Sequence, residues 1–139
     1  MKILQINNYN YLKGGSEKVY QVTIELLKAN GHQVKYFSIA DPRNEELCEG
    51  YAVSIQKWSD VKGLGGKLKG VRNFIYNRQV AWQLDSFLQE YHPDVAHLHI
   101  FYGNLSNAIV DVLRKHHIPM VQSVHEFRLL CPVYTLSLI

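Results

Sequence analysis

Apolar and polar positions alternate along this chain between two kinds of pattern. Short apolar runs of strand length occur at residues 2–7 (KILQIN), 33–39 (QVKYFSI), 51–56 (YAVSIQ, the weakest), 94–100 (DVAHLHI) and 119–124 (PMVQSV). Between them lie stretches with helical spacing. Residues 16–30 carry Val19, Val22, Leu26 and Leu27 in register, with Ser16 placed as an N-cap and Gly31 in the C-cap position. A long pattern runs from Val71 to Tyr91, with Phe74, Ala81, Leu84, Leu88 and Tyr91 on one face, and His92-Pro93 stops it. Residues 105–117 repeat Leu105, Ala108, Ile109, Val112, Leu113 and His116, leaving Asn107, Asp111 and Arg114 for the wet face.

Strand and helix therefore alternate. That order predicts an α/β fold, a Rossmann-like three-layer sandwich around a doubly wound parallel sheet with right-handed crossovers. If the strands are ordered 3-2-1-4-5, the first and fourth are neighbours at the topological switch point, and ligands belong beyond their carboxyl ends. Three segments should meet there: the 7–15 loop, His99 to Tyr102, and His125-Glu126. The pattern ends without a convincing last helix, so residues 1–139 read as one domain truncated at its C-terminal end.

Composition narrows the class. With 47% hydrophobic and 19% charged residues the chain is too apolar for disorder, and a net charge of +3 is too slight for a dedicated nucleic-acid binder. MKILQINN has no apolar run long enough for a signal peptide, and no stretch approaches a membrane span, which predicts a cytoplasmic protein. Cys48 and Cys131 lie far apart and form neither a CxxC nor a disulfide framework. Asn104-Leu105-Ser106 matches a glycosylation sequon and reads instead as helix-capping residues.

Candidate chemistry gathers at the predicted crevice. Gly14 and Gly15 fall where the first strand turns into the first helix. They would let backbone amides approach a ligand, with the helix dipole favouring an anion such as phosphate; a tight turn that needs glycine is the other reading. KGGSEK is neither GxGxxG nor GxxxxGK[ST], which argues against nicotinamide and P-loop sites. His125 could exchange hydrogen bonds or a proton with a substrate, or could be a structural strand-end residue. His97 and His99 share one face of the fourth strand, but no acidic or thiol ligand stands beside them at metal spacing, so no metal is expected. His116-His117 suits the negative end of a helix dipole. Residues 57–72, KWSDVKGLGGKLKGVR, read as a mobile loop. The basic run from Lys57 to Arg78 could touch an anionic membrane surface or simply form a solvated face.

MKILQINNYNYLKGGSEK, with YHPDVAHLHIFYGNLSNAIVDVLRKHHIPMVQSVHEFRLLCP at its observed separation, resembles the N-terminal domain of family 4 glycosyltransferases. Those are retaining enzymes of GT-B type, built from two Rossmann-like domains facing a cleft. The resemblance implies that Gly14 and Gly15 approach the diphosphate of a nucleotide-sugar donor and that His125 is the catalytic histidine near the reacting carbon. It implies that His99 lines the acceptor side and that Glu17 is structural in the first helical turn; Asn8, Tyr102 and Glu126 are placed at the cleft by the topology. Glu126 departs from the aspartate more often found there. The expected activity is transfer of a sugar, of hexosyltransferase type, to an acceptor hydroxyl of a glycan or lipid-linked acceptor. That would suit polysaccharide or glycolipid synthesis at the inner face of the membrane, without cofactor, metal or nucleic acid. The donor-binding domain, with its paired glutamates, is absent, so this fragment alone should be inactive. The same spacing at Glu17 and Glu25 lies in the wrong domain. No carboxylate pair suggests a glycosidase. The alternative is a non-catalytic Rossmann-like binding module.

Overall fold

The computed structural model describes residues 1–55 and 72–125. Its elements, in chain order, are β1 (Lys2–Ile6), α1 (Gly15–Ala29), β2 (Gln33–Ile39), β3 (Gly50–Val53), α2 (Arg78–Glu90), β4 (Val95–Leu98), α3 (Ala108–Lys115) and β5 (Met120–Gln122). The five strands form one sheet in the order β3-β2-β1-β4-β5, with every pair parallel. This is the 3-2-1-4-5 order on which the placement of the crevice depended.

Register determines which side chains share a face. Leu4 lies beside Ala96, and Ile6 beside Phe37 and Leu98. These residues join Ile39, Val53, Leu84, Leu88, Ile109 and Leu113 in the main apolar core, under α2 and α3. The two helices are also tied by Asp85, whose Oδ1 accepts from Lys115 Nζ at 2.8 Å and from His116 Nε2 at 2.7 Å. These partners, Lys115 first, hold the Asp85 carboxyl below its ordinary range. The opposite face carries Gln5 beside His97 and is covered by α1 through a smaller cluster of Tyr20, Ile24 and Val34.

Three local expectations change. The face of α1 that turns inward is Glu17, Tyr20, Gln21 and Ile24, whereas Val19 and Leu26 are 49% and 58% exposed. The reason is the surface beneath the helix. It presents polar groups, so polar residues face it: Gln21 donates to Glu45 at 3.0 Å and the Tyr20 hydroxyl to Asn10 Oδ1 at 2.9 Å. Ser16 is not the N-cap. Gly14 occupies that position in extended backbone, and the Ser16 hydroxyl donates to Glu17 at 3.0 Å. At the other end Asn30 is the C-cap, and Gly31 follows it at φ +78°, a left-handed conformation that glycine adopts freely.

The long pattern from Val71 is also interrupted. A short helical turn at 72–75 precedes Asn77, whose side chain accepts from the amides of Gln79 and Val80 and starts a new helix. Phe74 is consequently 49% exposed instead of joining the α2 core face. The cap of α3 falls on Asn107, outside the Asn104–Ser106 tripeptide, and makes no side-chain capping bond; the Ser106 hydroxyl oxygen accepts from Ala108 N at 3.3 Å and Asn77 N at 2.9 Å. The third strand is short. It begins at Gly50, where a Cβ would fall 2.4 Å from Tyr36, so only glycine fits. The 57–71 stretch of the basic run and Glu126 lie outside the described residues.

Candidate functional site

The carboxyl ends of β1, β4 and β5 bring the expected loops together. Asparagines after β1 act as staples between them. Asn7 Oδ1 accepts from Ile100 N at 3.1 Å, and Asn7 Nδ2 donates to Tyr9 O at 2.8 Å. Asn8 is 5% exposed; its amide donates to Tyr102 O at 3.0 Å and accepts from Leu105 N at 3.3 Å. Asn10 ties the same loop to the 41–46 turn through Glu45 O at 2.6 Å. Asn8 and Tyr102 thus both lie at the crevice, with the Asn8 side chain and the Tyr102 carbonyl committed to joining its walls.

From this loop the chain enters α1 at Gly14. Among the described residues no side-chain hydrogen bond caps α1 at Gly14; the buried Glu17 carboxylate stands in its first turn, so an anion bound there shares the helix's positive end with Glu17. Neither glycine is required by the chain's own packing. Gly14 has φ −168°, which any residue adopts, and a Cβ there would stand 3.5 Å from Glu17 Oε2, an ordinary contact. A Cβ on Gly15 would meet nothing within 4 Å. The tight-turn explanation therefore has no support in the backbone or in the neighbours.

Beside the helix, polar side chains form a continuous chain across the sheet. Gln5, fully buried on the central strand, has its Nε2 3.2 Å from His97 Nδ1 and its Oε1 2.9 Å from His99 Nε2. His97 Nε2 reaches Ser123 Oγ at 2.8 Å, and His99 Nδ1 reaches His125 Nε2 at 3.0 Å. Tyr20 of α1 stands edge-on over His99, ring centroids 5.2 Å apart.

His99, expected on the acceptor wall, is only 1% exposed, so the fold places it one layer below that wall. Burial, followed by the neighbouring His97 and His125, pushes its pKa down to about 3. It is therefore a neutral imidazole over the physiological range. His97 is shifted down in the same way, mainly by burial and then by His125. His125 is half-buried and is the member of the chain that closes it on the crevice side. The sequence pattern had put His97 and His99 on one face; it gave no sign of Gln5 and Ser123, because their part depends on which strands become neighbours.

Among the described residues no group of three His, Cys, Asp or Glu side chains is arranged to hold a metal ion. A shallow groove of about 470 Å³ lies away from the crevice, lined by Tyr36, Asp41, Asn44 and Glu45 among others. Two of its acids are engaged, Asp41 by Arg43 at 2.8 Å and Glu45 by Gln21 and Leu12 N; Glu46 also lines it. It offers no comparable chemistry.

Comparison with known proteins places residues 13–135 in register with Glycosyltransferase Family 4. No curated protein matches. Among solved structures, a UGT transferase from Siraitia grosvenorii in complex with UDP aligns at 13% identity and TM-score 0.49, over 90% of this chain and 24% of that one. The chain thus spans about a quarter of that protein's length.

Proposed function

This chain belongs to glycosyltransferase family 4, and from that premise we propose that it is the acceptor-side half of a retaining enzyme. The enzyme would transfer a hexose from a nucleotide sugar to an acceptor hydroxyl on a glycan or lipid-linked acceptor, as in polysaccharide or glycolipid synthesis. A donor-binding domain completes the site in this reading, and residues 1–139 alone are inactive. The nucleotide sugar is a substrate, and no separate cofactor or metal is invoked. The protein works in the cytoplasm, with the basic run from Lys57 to Arg78 resting on anionic lipid at the membrane's inner face.

One observation carries the reading. A glycine pair that the fold does not need opens an uncapped helix at the switch-point crevice. Space left beside exposed amides and a helix dipole suits a phosphate group. Leaving-group stabilisation follows directly. As the bond between the anomeric carbon and the diphosphate breaks, charge grows on the phosphate oxygens, and amides fixed in advance stabilise it without reorganising. His125, coming from β5 on the other side of β4, hydrogen-bonds the sugar while the anomeric carbon passes through an oxocarbenium-like state.

The test is transfer by the full-length protein from a panel of nucleotide sugars, with the product anomer read by NMR. The expected result is retained configuration, and turnover reduced on the order of 10²-fold in His125→Ala, as for loss of one transition-state donor or acceptor. An inverted product would remove the retaining mechanism, and near-wild-type turnover in the variant would remove His125 from the site.

A further inference from the structure

We propose that Gln5 and His99 are positioning residues that hold His125 with its Nε2–H directed inward, so that it meets its ligand with the lone pair of Nδ1. This rests on the placement of His125 in the donor site and specifies what that site can recognise: a hydroxyl that donates, and not a phosphate or carbonyl oxygen that accepts.

The argument starts from the inventory of Gln5. Its amide has one oxygen, which only accepts, and one nitrogen, which only donates. The two histidines it joins must therefore answer in opposite senses. His99 Nε2 faces the oxygen at 2.9 Å and must carry a proton. A neutral imidazole has only one N–H, so His99 Nδ1 is a lone pair, and His125 Nε2, 3.0 Å away, must be the donor. On the other arm, His97 Nδ1 accepts from the Gln5 amide at 3.2 Å, and His97 Nε2–H donates to Ser123 at 2.8 Å.

This orientation of the amide puts all three histidines in the Nε2–H form, the intrinsically preferred tautomer of neutral imidazole. The opposite orientation would force all three into the less stable Nδ1–H form. The relay is also well shielded, with Gln5 fully buried and His99 1% exposed, and the low pKa of His99 keeps it an acceptor.

The experiment is long-range ¹H–¹⁵N NMR on the full-length protein labelled at histidine, at about pH 8 where free imidazole is neutral. His125 should show a proton on Nε2 and a bare Nδ1. His99→Phe, which removes the acceptor, should move the His125 nitrogens toward the averaged pattern of a free imidazole. It should also lower kcat/KM about tenfold, the equivalent of one well-placed hydrogen bond. Gln5→Leu, which takes the acceptor away from His99 Nε2–H, should likewise move the His125 nitrogens toward the averaged pattern. A proton on His125 Nδ1 in the unaltered protein would overturn the proposal, and this needs no variant to fold. So would an unchanged His125 spectrum in a folded His99→Phe. If the spectra agree but His125→Ala leaves turnover intact, the relay stands and the functional reading falls. If His125→Ala abolishes turnover while Nδ1 carries the proton, the reverse holds.

Discussion

The two faces of β1 and β4 are made from alternate residues of the same strands, and both are buried. Leu4, Ile6, Ala96 and Leu98 look toward α2 and α3 and join the main apolar core. One residue over, Gln5, His97 and His99 look the other way and meet one another. Burial of the first set is driven by the removal of apolar surface from water. Burial of the second is tolerated because each polar atom is partnered; among the described residues no buried side-chain nitrogen or oxygen lacks a hydrogen bond. An apolar layer would serve stability at least as well there. The contrast therefore separates a face that holds the domain together from one that, under the proposed function, holds a side chain for a ligand.

Truncation on the apolar face should have the largest effect on stability. Leu84 is fully buried on α2, and Leu84→Ala should cost about 2–5 kcal/mol through lost transfer energy and the cavity left behind. Urea unfolding reads the loss, while the folded fraction should bind donor as before. A substantial loss of affinity in folded Leu84→Ala would blur the division between the faces.

The polar face should respond to acid. Native His99 titrates near 3, below the ordinary 6.5 that it recovers on unfolding. Between those values the unfolded chain binds a proton that the native chain does not, so stability is complete above 6.5 and falls as pH drops through the window. The slope is about 1.4 kcal/mol per pH unit for this residue, or about 2 kcal/mol between pH 6.5 and 5. Urea midpoints across that range should fall, and His99→Phe should flatten the dependence. An equally steep fall in the variant would assign the acid sensitivity to other groups.

What the sequence revealed depends on the range of the interactions involved. β2 was legible to the residue, because QVKYFSI is a β-rich run between a helix-ending Gly31 and a polar turn. Alternation gave the parallel α/β sheet, while the strand order was taken from the doubly wound pattern and is the one found. The inward face of α1 was misread because apolar periodicity assumes an apolar partner, and here Tyr20 and Gln21 also meet Asn10, Glu45 and His99, which lie on segments distant in the pattern. The break at Asn77 was missed because an asparagine within a helical pattern becomes a cap only when the preceding turn departs from helix. Gly14, Gly15, His99 and His125 could be picked out by type and position. That His99 lies beneath His125 instead of beside it required the β4–β5 register, which no local pattern encodes.

Donor binding at the glycine pair is the smallest of these effects in energy and the most direct test of the central claim. Gly15→Val places methyl groups where the chain itself has nothing within 4 Å of a Cβ, so the thermal midpoint should hardly move. Calorimetric titration of the full-length protein with the nucleotide sugar it uses should then show affinity reduced about tenfold or more, equal to 1.4 kcal/mol or above. Unchanged affinity in a variant of unchanged stability would mean that no diphosphate approaches Gly15, and the crevice would lose its assignment as a donor site.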